Sequence, residues 1–147
     1  MMDEELLKYC EDHSGSEDKL LQLIKRQTHL KVLKPRMLSG HLQGKMLEMF
    51  VKMTSGINVL EIGTFTGYAS IFLARGLAPE GKLTTIDVNE ELEEMVRGFF
   101  KQSGLNDKID YKIGNALEVI PSLKEPLDFV FIDADKRNYV NYFDLVV

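Results

Sequence analysis

Asn58-Val-Leu-Glu-Ile-Gly-Thr-Phe-Thr-Gly-Tyr-Ala69 reads as a buried strand that runs through a glycine turn into a helix. That backbone geometry cradles nucleotide-like ligands, because glycines let the main chain come close and the helix start presents free amides. Gly63 and Gly67 stand four apart, with an acid, Glu61, just ahead of them. The dinucleotide fingerprint G-x-G-x-x-G is therefore absent, which disfavours a nicotinamide dehydrogenase. Read without a ligand, the same residues are a tight strand–helix turn.

Working outward, the chain after Gly56 alternates short apolar runs with helical patterns. Val59–Ile62 is the first strand, and Tyr68–Leu77 a helix with Ile71, Phe72 and Leu73 facing inward. Pro79-Glu80-Gly81 is a turn, Lys82–Ile86 the second strand, and Asn89 caps a helix carrying Leu92, Met95, Val96, Phe99 and Phe100. Gly104 closes that helix. Ile109, Tyr111 and Ile113 alternate as the third strand, Ala116–Leu123 is a short helix, and Leu127–Ile132 the fourth strand. The last is largely apolar, as expected of a strand covered on both faces. This order predicts a doubly wound, Rossmann-like parallel α/β sheet.

Two helices are expected before it. Ser14-Gly15-Ser16-Glu17 turns into the first, with Leu20, Leu21, Leu23, Ile24 and Leu30 at roughly helical spacing and Pro35 as its stop. Leu42, Met46, Met49, Phe50 and Met53 mark the second, and the methionine stripe reads as helix packing rather than a ligand box. Tyr139–Val147 begins a helix-like stretch and the sequence stops inside it. A four-strand sheet would leave the fourth strand's edge unpaired. We expect either a fragment of a longer protein or a chain whose partner covers that edge.

Composition narrows the function. The 147 residues suit one domain, with 44% hydrophobic and 28% charged residues. A net charge of −5 argues against a nucleic-acid partner, which requires a basic footprint. Cys10 is the only cysteine, so no internal disulfide framework exists, and a reducing cytoplasm is expected. The acidic start Met1-Met-Asp-Glu-Glu does not resemble a signal peptide, and no apolar run approaches the ~20 residues of a membrane span. His13, His29 and His41 lack metal-ligand spacing. Lys25, Arg26, Lys31, Lys34 and Arg36 make a basic run, either a solvated face or a dock for an acidic substrate group.

Ligands of open α/β sheets bind beyond the carboxyl ends of the strands, where four groups fall here. The first is Glu61 to Gly67. The second is Asp87, placed to accept both ribose hydroxyls or, on the bland reading, to cap a helix. The third, Gly114-Asn115-Ala116, offers a loop amide to an adenine edge or is an ordinary turn. The fourth, Phe131-Ile-Asp133-Ala-Asp135-Lys136, sets two carboxylates and a lysine at the sheet mouth. They are a surface ion pair, or else Asp133 takes a divalent cation and Lys136 acts as a base. Their order along the strands fits one extended nucleoside.

From about Met37 onward the chain resembles the cation-dependent class I O-methyltransferases of the catechol and caffeoyl-CoA type, especially bacterial members. The resemblance rests on Met37-Leu-Ser-Gly-His-Leu-Gln-Gly44, on Val59-Leu-Glu-Ile-Gly-Thr-Phe-Thr-Gly-Tyr68 and on Phe131-Ile-Asp-Ala-Asp-Lys-Arg-Asn-Tyr139. It implies a transferase that moves a methyl group from S-adenosyl-L-methionine to a small vicinal-diol, catechol-like acceptor with a divalent cation, Mg²⁺. Met37 and Ser39 would lie beside the methionine part of the donor, which Glu61 and Gly63 would contact, with Thr64, Phe65, Gly67 and Ala69 completing the cofactor loop. Asp87 would hold the ribose hydroxyls, Asn115 and Ala116 would flank the adenine, and Val88 and Gly114 would belong to the same cofactor-binding set. Asp133 would touch the donor and be the first metal ligand, and Lys136 the general base. A homodimer is implied, with a small-molecule acceptor and neither nucleic acid nor membrane as partner.

The resemblance divides the chain into an N-terminal helical cap segment, residues 1–56, and an S-adenosylmethionine-binding α/β domain, residues 57–147, incomplete at its C-terminus. Two departures stand out. Where the family has Ser after Gly-Tyr, this chain has Ala69, with Ser70 following. The family's remaining metal ligands, an Asp-Asn pair after a fifth strand, would lie beyond Val147, so this chain alone is expected to be inactive. The alternative is a donor-binding module or fragment without catalysis. A structural partner is a further rival, supported only by the open strand edge.

Overall fold

Val59 and Glu61 point to one side of a strand while Leu60 and Ile62 point to the other, and both sides are buried. Such a strand belongs at the centre of a sheet covered on two faces. In the computed structural model, which describes residues 3–147, this is β1 (Asn58–Ile62), flanked by β2 (Lys82–Asp87) and β4 (Phe129–Ile132). β3 (Ile109–Ile113) pairs outside β2, giving the order β3-β2-β1-β4 with every pairing parallel. The doubly wound α/β sheet expected from the alternation is present.

Three helices precede the sheet rather than two: α1 (Glu4–Asp12), α2 (Lys19–Lys31) and α3 (His41–Met53). The additional one, α1, buries no residue, and its apolar Leu6, Leu7 and Cys10 stay exposed or half-buried. It is held by Asp3, whose side chain accepts from the Glu5 amide, and by acids in its first turn. Pro35 does not stop α2. The helix ends at Lys31, Lys34 takes a left-handed φ of 57°, and Pro35 opens the short turn Pro35–Met37.

The methionine stripe of α3 is a second correction. Met46 and Met53 are 45% and 74% exposed, and the buried face is Gly44, Leu47 and Val51. The reason is steric: a Cβ on Gly44 would lie 2.2 Å from Cδ2 of Phe72, so the closest approach to α4 (Tyr68–Gly76) is built on the small residue. α4 is thereby enclosed between α3 and the sheet, and every residue in it except Arg75 is buried.

The other face is covered by α6 (Ala116–Val119) and α7 (Tyr139–Val146), with Ala116, Ile120 and Tyr142 against Leu60, Ile62 and Ile86. α5 (Glu93–Ser103) joins α2 and α4 in a cluster that includes Leu21, Ile24, Phe72, Val96 and Phe100. β4 is only half-buried along its length, because it has one neighbouring strand, β1. Among the described residues, no helix is long and apolar enough to cross a membrane.

Candidate functional site

The carboxyl ends of β1, β2 and β4 meet at one edge, and the first two glycines after β1 explain how closely. Gly63, with φ +104°, donates its amide to Ile86 O at 2.9 Å; a Cβ there would lie 2.6 Å from the Asp133 carbonyl oxygen. Gly67, with φ +78°, caps α4, and a Cβ there would meet Phe100 at 2.7 Å. Between them Phe65 also takes a left-handed φ, 51°, which costs a non-glycine residue roughly 1–2 kcal/mol. Its amide donates to Asp87 Oδ2 at 2.7 Å, while the Asn89 amide donates to Oδ1 at 2.9 Å. Asp87 therefore fastens the β1 loop to the end of β2 and offsets that strain. Asn89 provides the cap, accepting from the Glu91 amide at the short turn Glu90–Leu92.

Two adjoining cavities of about 240 and 200 Å³ open at this edge and share Met37, Gly63 and Asp87. Ser39, Thr64, Phe65, Ala69 and Asp133 line the first. Val88, Gly114 and Ala116 line the second. Eleven of the residues expected from sequence thus line the cleft that these two neighbouring cavities make up. The others stand apart from its wall. Gly67 is spent on the helix cap, and Asn115 caps α6 by accepting from the Leu117 amide at 3.1 Å. Lys136 is exposed on the turn Lys136–Asn138, beyond Asp133.

Glu61 sits behind the wall with no exposed surface. Its Oε2 accepts from the Ser70 hydroxyl and, at 2.6 Å, from the Thr85 hydroxyl. Thr85 has one proton to give, so its 2.6 Å contact with Thr64 runs the other way, from Thr64 to Thr85. Among the described residues, Oε1 is buried without a partner. Burial pushes the Glu61 carboxyl up to about 8; the Ser70 and Thr85 hydrogen bonds oppose this, and the charges of Asp133 and Asp87 add to it. With no cation beside it, Glu61 holds its proton at neutral pH; a positive charge brought against Oε1 would favour the carboxylate form.

At the β4 end, burial raises the Asp133 carboxyl, with the Lys136 ammonium opposing. Asp135 is held low, first by the Tyr142 hydroxyl, which donates to Oδ1 at 2.6 Å, and further by Asn138 on Oδ2 at 2.7 Å. Among the described residues, no three His, Cys, Asp or Glu side chains converge as a metal site.

Several cleft residues escaped the sequence reading or were given another part in it. Tyr68 and Asn89, read as a helix residue and a helix cap, line the first cavity with Thr66 of the loop, and Tyr142 lines the second. Asp135, grouped with Asp133 at the strand mouth but given no role in binding, also lines the second. Leu33 had no signal, since it comes from an irregular strap before Pro35.

Residues 11–147 match the model of a protein family described as O-methyltransferase. The chain is 40% identical over 106 residues to caffeoyl-CoA O-methyltransferase 2 of Petunia hybrida, covering 68% of this chain and 44% of that protein. It is 37% identical over 114 residues to the catechol O-methyltransferase of Mycobacterium tuberculosis, covering 77% and 52%. Among solved structures, it superposes with a TM-score of 0.90 on the Bacillus cereus O-methyltransferase in complex with SAH, at 33% identity, covering 97% of this chain and 66% of that one. A TM-score of 0.90 also relates it to a Streptomyces achromogenes O-methyltransferase involved in tomaymycin synthesis, in complex with SAM, at 32% identity, covering 99% and 69%. The chain spans less than half the length of the Petunia relative and about two thirds of these solved chains.

Proposed function

The chain belongs to the O-methyltransferase family, and from that premise we propose that the protein transfers the methyl group of S-adenosyl-L-methionine to a hydroxyl of a small vicinal-diol, catechol-like acceptor. The observation that carries this reading is the pair of neighbouring cavities at the ends of three parallel strands, with Asp87 lining both. A carboxylate has about four lone-pair sites, and two of those on Asp87 go to amides, which leaves acceptors for ribose hydroxyls. Gly114 and Ala116 would flank the adenine. The methionine part would extend toward Met37, Ser39 and Ala69, where α4 has no side-chain cap and offers its first amides to a carboxylate.

The buried orphan oxygen of Glu61 beside this wall fits a ligand with a cationic end. S-adenosyl-L-methionine supplies an electrophilic sulfonium methyl. The chain's own part is to hold the acceptor oxygen in line at near-attack distance and to remove its proton. Lys136, beside Asp133, is the residue proposed to accept that proton, so its neutral form is the active one.

A divalent cation is the finer part of the proposal. Asp133 is a hard oxygen ligand at the cleft, but one carboxylate does not hold such an ion, and Asp135 is engaged by Tyr142 and Asn138. The test incubates the whole protein with S-adenosyl-L-methionine, Mg²⁺ and catechol, with and without a chelator. Methylated catechol is expected only without the chelator. Turnover indifferent to chelator would remove the cation, and no turnover with any catechol would remove the acceptor class. A homodimer and a cytoplasmic location remain part of the proposal, motivated by the family resemblance.

A further inference from the structure

Ala69 and Ser70 exchange the roles that the family pattern leads one to expect. Ala69 lines the cleft and brings no hydroxyl to it. One residue further along a helix is a rotation of about 100°, and Ser70 accordingly points away from the cleft, toward the sheet, where its hydroxyl donates to Glu61. Thr85 reaches the same carboxyl from β2, directly across the ladder from Glu61.

Both hydroxyls choose the same oxygen. Oε2 accepts two hydrogen bonds and Oε1 none among the described residues, although both are enclosed. A buried carboxyl oxygen without a partner is costly, by roughly 1–3 kcal/mol, and is retained where something fills it. The cleft lies beside this network. Thr64 lines the cleft and donates to Thr85, and Gly63 and Ala69 line it on either side of the network. The charged neighbours acting on Glu61 are Asp87 from the end of β2 and Asp133 from the end of β4, both acids, and among the described residues no cation joins them.

We propose that Ser70 and Thr85 are positioning residues for the methyl donor: together they lock Glu61 through Oε2 and leave Oε1 as the acceptor for the ammonium group of the donor's amino-acid end, directly or through one water. This rests on the reading of S-adenosyl-L-methionine as the ligand and on the contact of Glu61 with its methionine part that the family resemblance implies; the roles of Ser70 and Thr85 are what the structure adds. It accounts for a hydroxyl placed behind the wall instead of on it, since Ser70 acts on the donor through Glu61 where a serine in place of Ala69 would act on it directly.

Calorimetric titration of the chain with two probes tests it. S-adenosyl-L-methionine carries the amino-acid end, and 5′-methylthioadenosine has the same nucleoside without it. Ser70→Ala and Thr85→Val are each expected to weaken S-adenosyl-L-methionine about tenfold, the effect of removing one hydrogen bond to a charged group. Both should leave 5′-methylthioadenosine within about twofold, a margin below half of one such bond. Thr85→Ser keeps the hydroxyl and should keep the affinity. Equal weakening of both probes means a merely structural role and overturns the proposal, as does unchanged S-adenosyl-L-methionine binding or a Thr85→Ser variant as weak as Thr85→Val. If the unaltered chain binds neither probe, the donor reading itself fails and the proposal with it. Retained 5′-methylthioadenosine binding also shows that each variant is folded.

Discussion

At the scale of single residues, Glu61 has the largest consequence for solution behaviour. An ordinary carboxyl of its type titrates near 4.5, and burial moves this one to about 8. Between those values the folded chain carries a proton that the unfolded chain has released. Stability therefore falls as pH rises through that window, by up to about 1.4 kcal/mol per pH unit, and levels off once both states are ionised. Glu61→Gln is expected to lack this component. Chemical denaturation of both proteins across the window checks it, and parallel pH slopes would sink the assignment. Gly63, Gly67 and Asp87 were legible from the sequence because each answers a local need, a positive φ or a carboxylate at a strand end. The burial of Glu61 was not, since spacing says that an acid is near the loop but not which way its side chain turns. Its partners Ser70 and Thr85 lie on two other elements.

At the scale of elements, the α3–α4 contact depends on what is missing from Gly44. Alanine is favoured over glycine inside a helix by about 1 kcal/mol, so propensity alone predicts that Gly44→Ala stabilises. The Cβ would sit 2.2 Å from the Phe72 ring, and Phe72 is fully buried among Tyr68, Ile71 and Leu21. Overpacking is expected to win, for a net loss of about 1–3 kcal/mol in denaturant unfolding. A stabilised variant would mean that Phe72 has room to move. The same contact explains why the methionine stripe misled: hydrophobicity marks Met46, Met49 and Met53, whereas the tightest packing is marked by a residue with no side chain. α1 was hidden for a related reason, being a helix defined by its cap and charges and not by a buried face. Strand order along the sequence, by contrast, was plain from alternating apolar runs and turn residues.

At the scale of the molecule, the cleft is assembled by elements far apart in the chain. Its floor follows from the strand–helix alternation, but the strap bearing Leu33, Met37 and Ser39 reaches it only through tertiary packing. No local pattern records that. Because the walls come from so many elements, a ligand that fills the cleft holds the folded state together. At a hundred times its dissociation constant, S-adenosyl-L-methionine should add about 2.7 kcal/mol of stability. For a domain of this size that raises Tm by about 5–10 °C in a thermal melt. An unchanged Tm at saturating donor would contradict the donor assignment.

One buried contact sets how small a working unit can be. The Thr28 hydroxyl, in α2, lies 2.7 Å from Ile24 O and 3.0 Å from the hydroxyl of Thr66 in the β1–α4 loop, toward both of which it can donate, and neither threonine has any exposed surface. Cutting the polypeptide at the apparent border near Gly56 would take Thr28 away, strand the Thr66 hydroxyl in a dry interior, and strip Leu21 and Ile24 from the cluster beneath Phe72. The helical arm is thus inseparable from the loop it shelters, and any minimal fragment engineered from this chain to keep the cleft intact has to begin at or before α2.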